Sequence, residues 1–185
     1  MATDTLNLDL AARARRAYER SRLRFALTLS GAALVLPATS MLLGTPLVSG
    51  LALGVALGVL VMAATWRGGA LARGALHGLE VGLVPLVLAH AARLYGHVCT
   101  PSGCTTLCVP ACASGGVVAG LALEWFARRS PLPSVVRGVG LVSAFLTGAL
   151  GCSCVGASGL VALVVALGVS AAGARVLAPL ANRGA

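Results

Sequence analysis

The sequence predicts an all-α fold: a polytopic membrane protein, a six-transmembrane-helix bundle with short loops and both termini cytoplasmic. Three observations lead there. Of 185 residues, 58% are hydrophobic and only 10% charged, and the mean hydropathy is +0.94. A soluble domain carries about a quarter charged residues, so this chain has too few to cover a water-facing surface. Six stretches approach the roughly 20 apolar residues that a spanning helix needs. Finally, the arginines fall almost entirely in alternate joins between those stretches.

The six spans are 25–43, 47–65, about 74–94, 105–126, about 135–152 and about 157–177. The third is the most polar. Between them lie GTP, WRGG, a cysteine-bearing loop, ARRSPLPS and a GAS turn, all rich in residues that end helices and form turns. The first apolar run starts near Phe25 with no small-residue cleavage site following it cleanly, so it reads as a retained helix and not a signal peptide. The chain divides into a basic N-terminal segment, 1–24, and a transmembrane domain, 25–185.

Arginine sets the orientation. All fourteen basic residues are Arg. With the N-terminus inside, Arg13, Arg15, Arg16, Arg20, Arg22, Arg24, Arg67, Arg73, Arg128, Arg129, Arg137, Arg175 and Arg183 are inside, and Arg93 alone is outside. Trp66, Trp125 and Phe126 then sit at inner boundaries, where interfacial aromatics belong. The net charge of +9 is therefore a topology signal and not a nucleic-acid footprint. Rows of glycine spaced by four, Gly50/Gly54/Gly58, Gly74/Gly78/Gly82 and Gly116/Gly120, predict close helix–helix approach in lipid.

In the 1–24 segment, Asp9 is placed to cap a helix starting at Leu10. The segment reads either as a basic helix on anionic head groups or as a partner-binding element carried by Arg13, Arg16, Tyr18 and Arg20.

The six cysteines form two clusters: Cys99, Cys104, Cys108 and Cys112 in GHVCTPSGCTTLCVPACASGG, and Cys152 and Cys154 in GCSCVG. The topology puts both on the outer, periplasmic-type side, which is oxidising. If the fourth helix begins by residue 104, then Cys104, Cys108 and Cys112 share a face, with His97 and Cys99 on a lead-in. Three uses are open. The thiols can pair or act in redox sensing, in any of fifteen connectivities. His97, Cys99, Cys104, Cys108 and Cys112 can bind a soft metal, zinc or copper, although the second cluster, with one residue between its cysteines, lacks the zinc-ribbon pair spacing. Or the cysteines are small buried hydrophobes. No cofactor is otherwise implied.

The third span carries Arg73, His77 and Glu80 on one face, with His90 beyond Pro85. Intramembrane ionisable groups face the bundle interior or water. These read as a relay or, preferably, as groups satisfying one another near the inner end. Glu124 and Arg128 are spaced for an i,i+4 pair. No phosphate loop, H-E-x-x-H or nucleophile elbow is present, and the loops are too short for an active site, so no enzymatic activity is expected.

The stretch from the cysteine loop through GCSC resembles a family pattern. LEWFARRSPLP and LVSAFLTGALGC are similar to the basic, Pro-containing turn (ALRRGAPLRP) and the Gly-rich helix ending in an outer cysteine (GLLAGALG) of six-span membrane anti-sigma factors. These are the NrsF-type negative regulators of extracytoplasmic-function sigma factors. The resemblance covers about residues 96–155, with size, span number and topology. It implies stress sensing by Cys99 or Cys104 and by Cys152, and sigma-factor binding through 1–24. This chain has six outer cysteines where the pattern has a pair. The expectation is a bacterial inner-membrane regulator that sequesters a cytoplasmic sigma factor; a small soft-metal transporter or chaperone, and a structural protein with disulfide-stapled loops, are the alternatives.

Overall fold

The computed structural model describes the backbone of residues 2–95, 97–100, 103–153 and 156–181, and side chains within 13–95, 107–153 and 156–176. Among the described residues seven helices make six candidate spans. They are α1 (Ala2–Ala33) with α2 (Val35–Leu42), then α3 (Leu47–Arg67), α4 (Gly69–Tyr95), α5 (Cys108–Arg128), α6 (Pro133–Cys152) and α7 (Ala157–Ala181). The fold is the expected all-α bundle of six apolar helices, each long enough to cross a bilayer. One end holds the cysteines that follow α4 and close α6, together with Arg93; the other holds Arg67, Arg73, Arg128, Arg129, Arg137 and Arg175.

Three local expectations change. The helix does not start beyond Asp9: α1 runs unbroken from Ala2 through Ala33, so the basic segment and the start of the first span share one helix. That span is not one helix, because α1 stops at Ala33 and α2 resumes at Val35. Pro37 explains the break, as it has no N–H and its ring crowds the carbonyl four residues earlier, that of Ala33. The third change is the shared face of Cys104, Cys108 and Cys112, which needed a helix beginning by residue 104 and does not form. Cys104 lies in β2 (Gly103–Thr106), antiparallel to β1 (His97–Thr100). The β-branched Thr105 and Thr106 favour extended backbone, and α5 starts only at Cys108, with Pro110 in the first turn where it is tolerated.

Glycine sets the packing. A Cβ added to Gly74 would lie 2.7 Å from the Val136 carbonyl oxygen; at Gly78, 2.7 Å from Ser143 Cβ and 2.8 Å from Gly140 Cα; at Gly82, 2.7 Å from Thr147 Cβ. The row on α4 is therefore pressed backbone to backbone against α6, and Ser143 Oγ donates to the Ala75 carbonyl (2.8 Å) across the contact. Gly116 and Gly120 do the same on α5 against α7, at Leu163, Leu167 and Ser170. Gly50, Gly54 and Gly58 receive Met41, Pro37 and Leu34 of the first span. Each row thus serves a different neighbour. Buried Pro85 of α4 sits where three helices meet, against Gly115 of α5 and Gly148 of α6.

Two contacts close the cysteine end. Arg93 Nη1 donates to the Leu43 carbonyl (2.7 Å) at the α2–α3 turn, which bends at Gly44 with φ +97°, a value costly for any side chain. Thr45 Oγ1 donates to the Leu150 carbonyl (3.0 Å) and is buried.

Gly78→Ala should therefore destabilise the bundle by about 1–3 kcal/mol, the range for overpacking a filled contact. Gly138→Ala, where an added Cβ meets nothing within 4 Å, should be neutral or slightly stabilising through helix propensity. Thermal unfolding of the two variants in one detergent checks the contrast.

Candidate functional site

At the cysteine end, Cys112 in the second turn of α5 and Cys152, the last residue of α6, form a disulfide with Cα atoms 6.1 Å apart, inside the usual span for a cystine. Both are fully buried, packed with Ala89, Ala149 and Leu163. Cys108, one turn before Cys112, is buried and carries a free thiol. Its spacing of four places it on the face of α5 that carries the cystine. In the hairpin the backbone register sets Cys99 opposite Cys104; their side chains, that of His97, and all of Cys154 lie outside the described residues. Of the proposed metal ligands, Cys112 is engaged with Cys152 and so is not a thiolate. Among the described residues no three His, Cys, Asp or Glu side chains converge.

The arginine end holds a feature the sequence reading only half anticipated. Glu124, near the end of α5, is 2% exposed. Its carboxylate accepts two bonds from Arg137 of α6, from Nε at 2.6 Å to Oε2 and from Nη2 at 2.8 Å to Oε1. Arg128 Nε reaches Oε1 at 3.4 Å and Arg175 Nε of α7 reaches Oε2 at 3.4 Å. Arg128 also donates to the Ala174 carbonyl of α7. One buried carboxylate thus ties α5, α6 and α7, and the forked Arg137 contact is the strong, planar kind. The expected Glu124–Arg128 pair is present but is the weaker arm. The missed partner was discoverable: Glu124 lies one turn before the join, and Arg137 one turn after the start of the next, antiparallel helix. Arg129 stacks over Trp125 at 3.6 Å from the ring centroid, an interfacial cation–π pair.

The polar residues of α4 separate. His77 Nδ1 lies 3.3 Å from Glu80 Oε2, and the His77 ring stacks on Phe126 of α5 with centroids 4.4 Å apart. Arg73 and Glu80 are exposed. His90 is buried at the other end, where its Nδ1 is 2.9 Å from the Leu86 carbonyl, which fixes the proton on Nδ1. Its Nε2 has no hydrogen-bond partner among the described residues. These four residues do not form one relay: His77 and Glu80 satisfy each other, and His90 is more than two helical turns away along α4. On the N-terminal helix, Arg13, Arg16, Tyr18 and Arg20 are all exposed, Tyr18 to 65%, and Arg15 pairs with Glu19 at 3.1 Å.

No family model, curated protein or solved structure matches this chain.

Replacing Glu124 by Gln removes the charge that three guanidiniums share. The cost should be about 3 kcal/mol, the low end for breaking a buried ion pair, because Arg128 and Arg175 remain nearly half exposed. Adding Arg137→Met should recover part of that loss, since the most buried of the three guanidiniums (17% exposed) then no longer lacks a partner. Unfolding midpoints of the single and double variants in micelles test both statements.

Proposed function

We propose that this chain is a membrane-embedded regulator of the anti-sigma type. In this reading the cysteine end faces the periplasmic side of a bacterial inner membrane and reports redox stress, and the exposed basic helix α1 engages a cytoplasmic sigma factor. The observation that carries the reading is a double tie on one helix pair. The Cys112–Cys152 disulfide joins α5 to α6 at one end. Glu124 and Arg137 join the same two helices at the other. Glu124 lies twelve positions after Cys112 on α5, which is about 18 Å of helix. A change in the first tie therefore bears on the helices that form the second.

The chemistry is a two-electron exchange. Because the cystine is buried, local opening of the cysteine end has to come first; a dithiol reductant then attacks it, Cys112 and Cys152 become thiols and the reductant becomes a disulfide. Oxidation reverses this. The bundle then has two states that differ in one covalent bond, and a partner that prefers one state is held or released with it. Continuity of α1 from the basic segment into the first span supports a docking role for Arg13, Arg16, Tyr18 and Arg20. The sulfurs of Cys112 and Cys152, bonded to one another, favour this reading over a thiolate metal site.

Affinity purification of the solubilised protein from cells held under reducing and under oxidising conditions is the test. A sigma factor should co-purify in one condition severalfold more than in the other, and Cys112→Ser with Cys152→Ser should fix recovery at the reduced level. Absence of any sigma factor in both conditions, or equal recovery across conditions and variants, would overturn the proposal.

A further inference from the structure

A second feature of the arginine end lies outside that reading. Three guanidiniums, Arg128, Arg137 and Arg175, face one carboxylate, Glu124, which leaves an excess of two positive charges there. Arg137 uses both arms of its fork on Glu124 and is mostly buried. Arg128 and Arg175 make only long contacts to that carboxylate, 3.4 Å each, and stay 42% and 45% exposed. They are held in place but not neutralised.

An apolar groove leads to them. It runs between the parallel helices α5 and α7, has a volume of about 570 Å³, and is walled by Val117, Leu121, Val165 and Val169, among others, down to Gly173 and Ala174. From Ala162 to Ala174 on α7 it extends about 18 Å, slightly more than half of the roughly 30 Å hydrocarbon core. It therefore has the length of one leaflet. Ala174 is also the residue whose carbonyl accepts from Arg128, and Arg175 follows it directly, so the groove ends at the charged pair. Trp125, with Arg129 stacked on it, marks the same depth as an interfacial belt position.

We infer that this groove and arginine pair form a binding site for one anionic phospholipid, an acyl chain lying along α5 and α7 and the head-group phosphate held by Arg128 and Arg175. Charge complementarity and leaflet length select this occupant. A zwitterionic lipid fits the groove but leaves the excess charge unmatched, and a free anion fits the arginines but leaves the groove unused. Basic pockets between spans at the interface are known to take such head groups.

Native mass spectrometry of the full chain released from micelles containing equal amounts of phosphatidylglycerol and phosphatidylcholine tests the site. Wild type should retain one phosphatidylglycerol in preference to phosphatidylcholine. Arg128→Gln and Arg175→Gln keep the Arg137 fork on Glu124 and should each lower that retention about fivefold. Gly173→Leu provides a variant that leaves every arginine intact; among the described residues an added Cβ there meets nothing within 4 Å beyond its own helix backbone, so its side chain can extend into the groove and should displace the lipid without disturbing the fold. Millimolar inorganic phosphate should not compete. Equal retention of the two lipids, full retention in Gly173→Leu, or displacement by inorganic phosphate or by an acidic peptide would overturn the inference.

Discussion

The approach of α4 to α6 is the constraint on which the bundle depends. In lipid, apolar side chains gain nothing by meeting one another instead of acyl tails, so helices associate through packing and hydrogen bonds. The contact through Gly74, Gly78 and Gly82 supplies the packing, because backbone meets backbone where a side chain would stand. The Ser143–Ala75 bond adds a polar tie within it. Pro85 extends the contact to α5 through Gly115. Once α4, α6 and α5 are fixed in this way, α7 follows along Gly116 and Gly120. The first span and α3 pack at the side, through side chains seated in the glycine row of α3.

That frame brings Cys112 to Cys152 and, at the opposite end, Glu124 to Arg137. Antiparallel neighbours held at one separation along their length meet at both ends, so the covalent tie and the ionic tie share one geometry. The two ties differ in what can undo them. The ionic one is buried on its carboxylate side and is insensitive to electron transfer. The covalent one yields to a thiol, and Cys108, a free buried thiol one turn away, is the nearest described sulfur to it in sequence.

Much of this was legible in the chain. Length, hydropathy and the placement of arginine were enough for six spans, because a bilayer demands long apolar helices and penalises buried charge. The glycine rows were legible as contact surfaces, though spacing alone does not say which neighbour each row meets. Proline was legible as a breaker, yet Pro37 was read through, since an apolar run of the right length hid a split span. Spacing allows Cys104 to share a helical face with Cys108 and Cys112 only if the helix begins by residue 104, and the local preference of Thr105 and Thr106 for extended backbone removes that condition. Disulfide pairing was not readable: Cys112 and Cys152 are 40 residues apart, and only packing chooses among the connectivities. The Arg137–Glu124 fork was not readable from helical spacing for a related reason: that spacing points Glu124 to Arg128, and only the packing of α5 on α6 brings Arg137 to it.

The disulfide can act as a switch only if the two ends of α5 and α6 are coupled. Hydrogen–deuterium exchange of the full chain in nanodiscs, before and after reduction by a dithiol, measures this directly. Coupling predicts that reduction at Cys112–Cys152 raises exchange not only in the first turns of α5 but also at the arginine end, over residues 124–137, and that Cys112→Ser with Cys152→Ser reproduces the reduced pattern without a reductant. Faster exchange confined to the cysteine end, with residues 124–137 unchanged, would contradict it.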